Sequence, residues 1–261
     1  MTASRRTRVR RTLRLAAHLG VGWVGAAVAP RLAPARRRRL ARRLARRTLA
    51  ILDVRLIVHG TPPRRGPCLL VANHVSWLDV WALGAVCDAR FVAKSEVRTW
   101  PVAGRIARGF DTLFIRRGSF RDAARVKDRV AAALAAGEIV AVFPEGTTTD
   151  GARVRPFHAA LLQAAVDAAV SVQPVALRYP DVDGRPHPGP AFVGDTSFVA
   201  SLRRVLRLPA LRARLVFGEP IPAVARREVA LRAQTAIARA LGVPVDRPTH
   251  RTPPRPLAAA G

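Results

Sequence analysis

A histidine and a carboxylate stand five positions apart in the stretch Asn73-His74-Val75-Ser76-Trp77-Leu78-Asp79. An imidazole, which titrates near neutrality, can take a proton from a hydroxyl if a second group fixes its tautomer and steadies the imidazolium. Asp79, about one helical turn past His74, is placed to be that group. The chemistry on offer is general-base activation of an alcohol. The same residues have an architectural use, in which His74 or Ser76 caps a helix and Asp79 lies on its solvated face. Ser76 as a nucleophile would lack the Gly-x-Ser-x-Gly elbow that normally exposes one.

The elements around the pair have the right character to position it. Cys68-Leu69-Leu70-Val71-Ala72 reads as a short buried strand, and Leu78, Trp81, Ala82 and Ala85 recur at helical spacing beyond it. His74 therefore falls at the carboxyl end of a strand, where open α/β sheets place their chemistry. Further strands are expected at Val54–Val58, Phe91–Ala93, Thr112–Ile115, Ile139–Phe143, Val172–Leu177 and Leu211–Phe217. Helices are expected at Val102–Arg108, Asp122–Ala136, Ala159–Ala169 and Arg226–Leu241. This alternation predicts an α/β fold with a mixed, mostly parallel sheet flanked by helices.

Four more blocks follow in order. They are Phe91-Val92-Ala93-Lys94-Ser95-Glu96, Phe114-Ile115-Arg116-Arg117-Gly118, Phe143-Pro144-Glu145-Gly146-Thr147 and Val172-Gln173-Pro174-Val175. Together with the His-x4-Asp they resemble the 1-acylglycerol-3-phosphate acyltransferase family, in its wider glycerolipid and lysophospholipid sense, over roughly residues 55 to 220. The resemblance implies transfer of a fatty acyl group from a thioester of coenzyme A or acyl carrier protein to a lysophospholipid hydroxyl. His74 is then the base and Asp79 its orienting partner. Asn73, Lys94, Arg117, Glu145, Gly146 and Thr147 fall at substrate-binding positions, and Pro174 at the block associated with the acyl-chain tunnel. Arg116 is an additional cation beside Arg117, and the two guanidinium groups suit a phosphate monoester. Lys94 is one of only two lysines in the chain. One departure stands out: the family pattern commonly has arginine after the threonine, and here Thr148 occupies that place. A similar Thr-rich ending occurs in family members acting on lyso-ornithine lipids, so the acceptor is lysophosphatidic acid or a lysolipid of that other kind. No cofactor and no metal site are expected, because an acyl thioester is already activated. The alternative of another class is a basic membrane- or nucleic-acid-binding protein without catalysis, in which the His-x4-Asp is inert, and a thioester or ester hydrolase is a third reading, since the same base can activate water.

Composition bounds the setting. The chain of 261 residues has room for one large catalytic domain with terminal extensions. Its formal net charge is +28, and the first fifty residues hold fifteen arginines and no acid. A polyanionic surface is the expected partner. Only Trp23 offers an aromatic ring in this segment, which disfavours nucleic acid, whose binders interleave stacking aromatics. The apolar stretch from Leu15 to Pro30 is shorter than the ~20 residues of a membrane span. Arg36–Arg47 then flank Leu40, Leu44, Leu49 and Leu52 at near-helical spacing. Residues 1–52 are thus expected to form a basic amphipathic segment on an anionic membrane, at its cytoplasmic face and peripheral or monotopic. Pro30 directly after Ala27-Val28-Ala29 disfavours signal cleavage there. Cys68 and Cys87 lie on apolar segments without metal or redox spacing, as buried free thiols do. Residues 53–243 are expected to be the catalytic domain, and the Pro- and Arg-rich 244–261 a disordered tail.

Overall fold

The computed structural model describes residues 2–116 and 118–246. Arg117 and the 247–261 portion of the expected tail lie outside the described residues. In chain order the elements are α1 (Arg5–Val28), α2 (Pro34–Ile51), β1 (Val54–His59), β2 (Cys68–Ala72), α3 (Leu78–Val86), β3 (Ala89–Lys94), α4 (Ala103–Gly109) and β4 (Leu113–Ile115). They continue with α5 (Phe120–Ala135), β5 (Ile139–Val142), α6 (Gln163–Asp167), β6 (Val172–Arg178), α7 (Phe198–Arg207), β7 (Leu211–Phe217) and α8 (Arg226–Leu241).

The strands form one sheet in the order β1-β7-β6-β2-β5-β3-β4, parallel throughout except between β6 and β7. Strand β2, which leads into His74, is central and apolar on both sides. Because side chains alternate across a strand, Cys68, Leu70 and Ala72 join the core beneath α2, α3 and α7, while Leu69 and Val71 join the one beneath α5 and α8. In β5, Ile139 and Ala141 divide from Val140 and Val142 in the same way. This is the mostly parallel, helix-flanked sheet that the sequence predicts.

The basic amino-terminal segment is built into this architecture. Ser4 caps α1 by accepting from the Thr7 N–H at 3.2 Å, and Pro34 opens α2, where its missing N–H costs no helical bond. Leu15, Ala45, Leu49, Ile51 and Leu52 are buried in the larger core. Arg11, also buried, ion-pairs with Asp53 at 2.9 Å and donates to the Leu208 carbonyl at 2.7 Å. Residues 2–52 therefore form a layer of the domain: Ala45 and Leu49 of α2 join the core under the sheet, while Leu44 packs with Ala26 of α1 and Ile106 of α4.

Three local differences from the sequence reading have physical causes. Only Gln163–Asp167 of the expected 159–169 helix forms, since Leu162, Ala164 and Ala165 each bond back three residues in tight turns. A helix not anticipated, α7, is capped by Ser197, which accepts from the Ala200 N–H at 3.2 Å. Within the stretch expected as a tail, residues 244–246 are tied to the domain: Pro244 and Asp246 bracket Val154 with backbone bonds of 3.1 and 2.9 Å, and Arg153 pairs with Asp246 at 3.0 Å. Cys68 and Cys87 are buried free thiols, which burial pushes up to about 11 and about 12.

Candidate active site

His74 leaves the end of β2, and Asp79 is the second residue of α3. Asp79 Oδ2 receives three donors: His74 Nδ1 at 2.8 Å, the Val75 N–H at 2.7 Å and the Ser76 N–H at 3.0 Å. The two backbone bonds wrap the turn around the carboxylate, at the helix end where negative charge is favoured. Its other oxygen, Oδ1, receives the Tyr179 hydroxyl at 2.7 Å. Asp79 is wholly buried, whereas the His74 side chain keeps 20% of its surface exposed. The Phe143 ring stacks on the imidazole with centroids 4.1 Å apart. Since Nδ1 is engaged with the carboxylate, Nε2 is the nitrogen left for chemistry.

Asn73 is turned the other way. Its Nδ2 donates to the Leu177 carbonyl at 2.9 Å and its Oδ1 accepts from the Leu177 N–H at 2.7 Å. The side chain thus continues the β2–β6 ladder one step beyond the last paired residues, Ala72 and Val175. Asn73 is buried, with both polar atoms of its side chain committed to Leu177 of β6. Ser76 Oγ accepts from the Leu78 N–H at 3.3 Å, the local capping contact.

Glu145 is also turned inward. Oε1 accepts from the His74 N–H at 2.7 Å and Oε2 from the Arg155 N–H at 3.1 Å, so this side chain ties the turn after β2 to the 150–158 loop. Gly146 follows with φ of +70°, a left-handed conformation that favours glycine. A Cβ there would also press on the His158 ring at 3.0 Å. Thr147 is half-buried. Thr148, in the place of the expected arginine, donates its hydroxyl to the Phe192 carbonyl, while the Phe192 N–H donates to the Val75 carbonyl at 2.9 Å. The segment between β6 and α7 is thereby fastened over the turn. Trp77 adds a bond from Nε1 to Ser201 Oγ of α7 at 3.1 Å.

Burial pushes the Glu145 carboxyl up to about 7 from 4.5, although its two backbone bonds act in the opposite sense. The folded protein holds this proton more tightly than the unfolded chain. The group's contribution to stability is therefore fully present below pH 4.5 and is lost as the pH rises towards 7. A shift of this size amounts to roughly 3 kcal/mol. Unfolding free energies of the wild type and Glu145→Gln check it: the wild type should lose its advantage over the variant between pH 4.5 and 7.5. Equal differences at the two pH values would contradict this assignment.

The cations predicted to bind phosphate occupy one corner. Lys94, the last residue of β3, is exposed and pairs in register with Ile115, directly before exposed Arg116. The Arg116 N–H donates to Asp122 Oδ2 at 2.6 Å. Only β5 separates β3 from β2, which puts this corner on the order of 10 Å from the dyad's strand. Arg117 is outside the described residues.

Pro174 does not sit at a sheet edge, as a strand proline usually does, but in β6 between β2 and β7. Its carbonyl accepts from the Gly218 N–H at 2.9 Å. The return bond that proline cannot donate is supplied by Gln173, whose Nε2 reaches the Gly218 carbonyl at 3.0 Å.

A mostly parallel sheet covered by helices, with a His–Asp dyad at the end of its central strand, has direct counterparts. Residues 55–178, from β1 to the end of β6 and including both dyad residues, match the family described as Acyltransferase. The protein is an acyltransferase. The lyso-ornithine lipid O-acyltransferase of Pseudomonas aeruginosa is 44% identical over 207 residues, 78% of this chain and 79% of that protein. The 1-acyl-sn-glycerol-3-phosphate acyltransferase of Neisseria meningitidis serogroup B is 40% identical over 186 residues, 70% of this chain and 72% of that one. The chain belongs to this acyltransferase family. Its fold is shared with the solved 1-acyl-sn-glycerophosphate (LPA) acyltransferase, PlsC, of Thermotoga maritima, with a TM-score of 0.67 over 90% of this chain and 93% of that one at 19% identity.

Tyr179 and α7 are the parts of this site that sequence reasoning missed. Each left a signal: Tyr179 is the only tyrosine in the chain and follows a buried strand, and Ser197 precedes Leu202, Val205 and Leu206 at helical spacing.

Proposed function

We propose that the protein transfers a fatty acyl group from acyl-CoA or acyl-ACP to the hydroxyl of a membrane lysolipid, in phospholipid biosynthesis. The observation that carries this reading is the His74–Asp79 pair, whose geometry leaves Nε2 free to act as base. His74 removes the proton from the acceptor hydroxyl as its oxygen attacks the thioester carbonyl. The tetrahedral intermediate then collapses, the C–S bond breaks, and the imidazolium returns the proton to the departing thiolate. No covalent acyl-enzyme and no cofactor enter.

Lysophosphatidic acid, acylated at its sn-2 hydroxyl, is the first acceptor in this reading. Its support is the cationic corner of Lys94 and Arg116, with Arg117 beside it in sequence, since long basic side chains reach back across one strand to a phosphate monoester. Lyso-ornithine lipid is the second. It is favoured by Thr148, whose hydroxyl is spent on Phe192 where an arginine would add a phosphate contact, and by relatives of that name at 44% and 41% identity. Pro174 is assigned to the wall of the acyl-chain tunnel.

The membrane assignment rests on α1. Val9, Leu13, Val21, Val24 and Val28 form an exposed apolar stripe, and Arg11, Leu15, Gly22 and Ala26 are buried on the opposite side. By length and composition Arg5–Arg31 is long and apolar enough to cross a membrane. A helix that keeps one face on its own domain is instead suited to lie in the interface. A groove of about 320 Å³ between α1 and α7, edged by Arg5, Arg8, Arg203 and Arg207, supports contact with an anionic surface. The side is proposed to be cytoplasmic.

The test is acyl transfer by purified protein in anionic vesicles containing lysophosphatidic acid, lyso-ornithine lipid or other lysophospholipids, with acyl-CoA and acyl-ACP each as donor. Conversion of lysophosphatidic acid supports the first acceptor, and conversion of lyso-ornithine lipid alone the second. No ester product with either donor would overturn the proposal.

A further inference from the structure

We infer that Tyr179 is a positioning residue of the acyl-transfer site, acting through Asp79 to keep that carboxylate ionised and aligned on His74. The inference rests on the reading of His74 as base, and goes beyond it by assigning work to a residue from another strand.

Asp79 is entirely cut off from water, and a carboxylate in that position stays charged only if donors replace the lost hydration. Three donors crowd Oδ2, but among the described residues Oδ1 has the Tyr179 hydroxyl alone, at 2.7 Å. With that hydroxyl removed, a buried carboxyl lowers its energy by taking up a proton. The proton goes to Oδ1, since every approach to Oδ2 is held by a donor. A neutral Asp79 still accepts from Nδ1, yet it no longer steadies the positive charge that His74 acquires as it takes the acceptor's proton. The ionisable groups facing Asp79 are His74, Tyr179 and Glu145, whose own carboxyl Asp79 disfavours in charged form. Tyr179 itself stays protonated and so remains a donor, because burial pushes it well above 10.

The chain supports this hydroxyl rigidly. Tyr179 directly follows Arg178, the end of β6, and Leu177, two residues earlier, is the residue clamped by Asn73. Two bridges therefore run from β6 to the catalytic turn. Asn73 fixes where the turn starts, and Tyr179 fixes the carboxylate that turn encloses.

Tyr179→Phe deletes one oxygen and keeps the ring. The expected result is a kcat lower by roughly 10- to 100-fold, the range for a lost hydrogen bond to a charged group. KM for donor and acceptor should stay within about twofold, and the acidic limb of the kcat pH profile should move upward. In a His74→Ala background the same substitution should cause no further loss, because its effect passes through the dyad. Equal losses in both backgrounds, or an unmoved pH profile, would overturn the inference. A His74→Ala variant of near-normal turnover would instead overturn the reading of the base, whatever Tyr179→Phe does. Should Tyr179→Phe fail to fold, the single tyrosine allows another route: incorporation of 3-fluorotyrosine places one ¹⁹F probe at this site. Its resonance should titrate with the acidic limb of kcat and lose that titration in Asp79→Asn. A resonance unchanged across that range would also overturn the inference.

Discussion

His74→Ala is expected to lower turnover by roughly 10³- to 10⁴-fold, the upper range for a positioned general base and equivalent to about 4–5 kcal/mol of barrier. The side chain is part-exposed, and its partners in the fold are few. It touches Asp79 through Nδ1 and Phe143 through its face, and the contacts that hold the turn run through the His74 backbone to Glu145 and Thr149. Alanine keeps that backbone. The variant should therefore fold and bind vesicles normally while failing in chemistry, with kcat and kcat/KM falling together. Steady-state kinetics beside thermal unfolding and vesicle binding check this. Turnover within tenfold of wild type would remove His74 from the mechanism.

Asp79→Asn is expected to cost turnover by about 10²- to 10⁴-fold, for a different reason. An amide oxygen can still accept from the Val75 and Ser76 N–H groups, so the turn is largely kept. The oxygen that does so takes the Oδ2 position and also receives His74 Nδ1, so the amide nitrogen takes the Oδ1 position and faces the Tyr179 hydroxyl. Facing the tyrosine, it donates to the hydroxyl oxygen, so the bridge to β6 is kept with its direction reversed. The neutral amide no longer steadies the imidazolium that His74 becomes as it takes the acceptor's proton. Asp79→Ala leaves two backbone donors, a ring nitrogen and a phenol without their acceptor, and buried donors in that state cost about 1–3 kcal/mol each. Asparagine should thus lose activity with modest loss of stability, and alanine should lose both. Paired kinetics and denaturant unfolding separate the two. An active Asp79→Asn enzyme would show that the carboxylate is architectural only.

The sequence located the dyad well because its signals are local. A five-residue apolar run, a helix-period pattern after it and a carboxylate one turn on lie within a dozen residues. The strands and most helices were legible for the same reason. Side-chain direction was not. Asn73 and Glu145 stand at substrate-binding positions by resemblance, yet Asn73 bonds to Leu177 and Glu145 to the His74 and Arg155 backbones. Nothing in a linear spacing says which way a residue faces beyond a strand's end. Tyr179 lies one hundred positions from Asp79, and the two meet because β6 is hydrogen-bonded to β2. That neighbourhood is a property of strand order, which an alternation of strands and helices leaves open. The amino-terminal segment shows the converse. Its arginines announce a charged surface, while Leu15 and Leu49 place the same helices inside the domain.

Direct attack on the thioester is the central claim, and thiol release measured with and without acceptor tests it most directly. Purified enzyme with acyl-CoA alone should release almost no thiol. Added lysolipid should produce thiol and acylated lipid in equal amounts, and His74→Ala should abolish both. Thiol released as fast without acceptor as with it, accompanied by free fatty acid or an acylated protein, would contradict the account and point to a hydrolase or to a nucleophile such as Ser76.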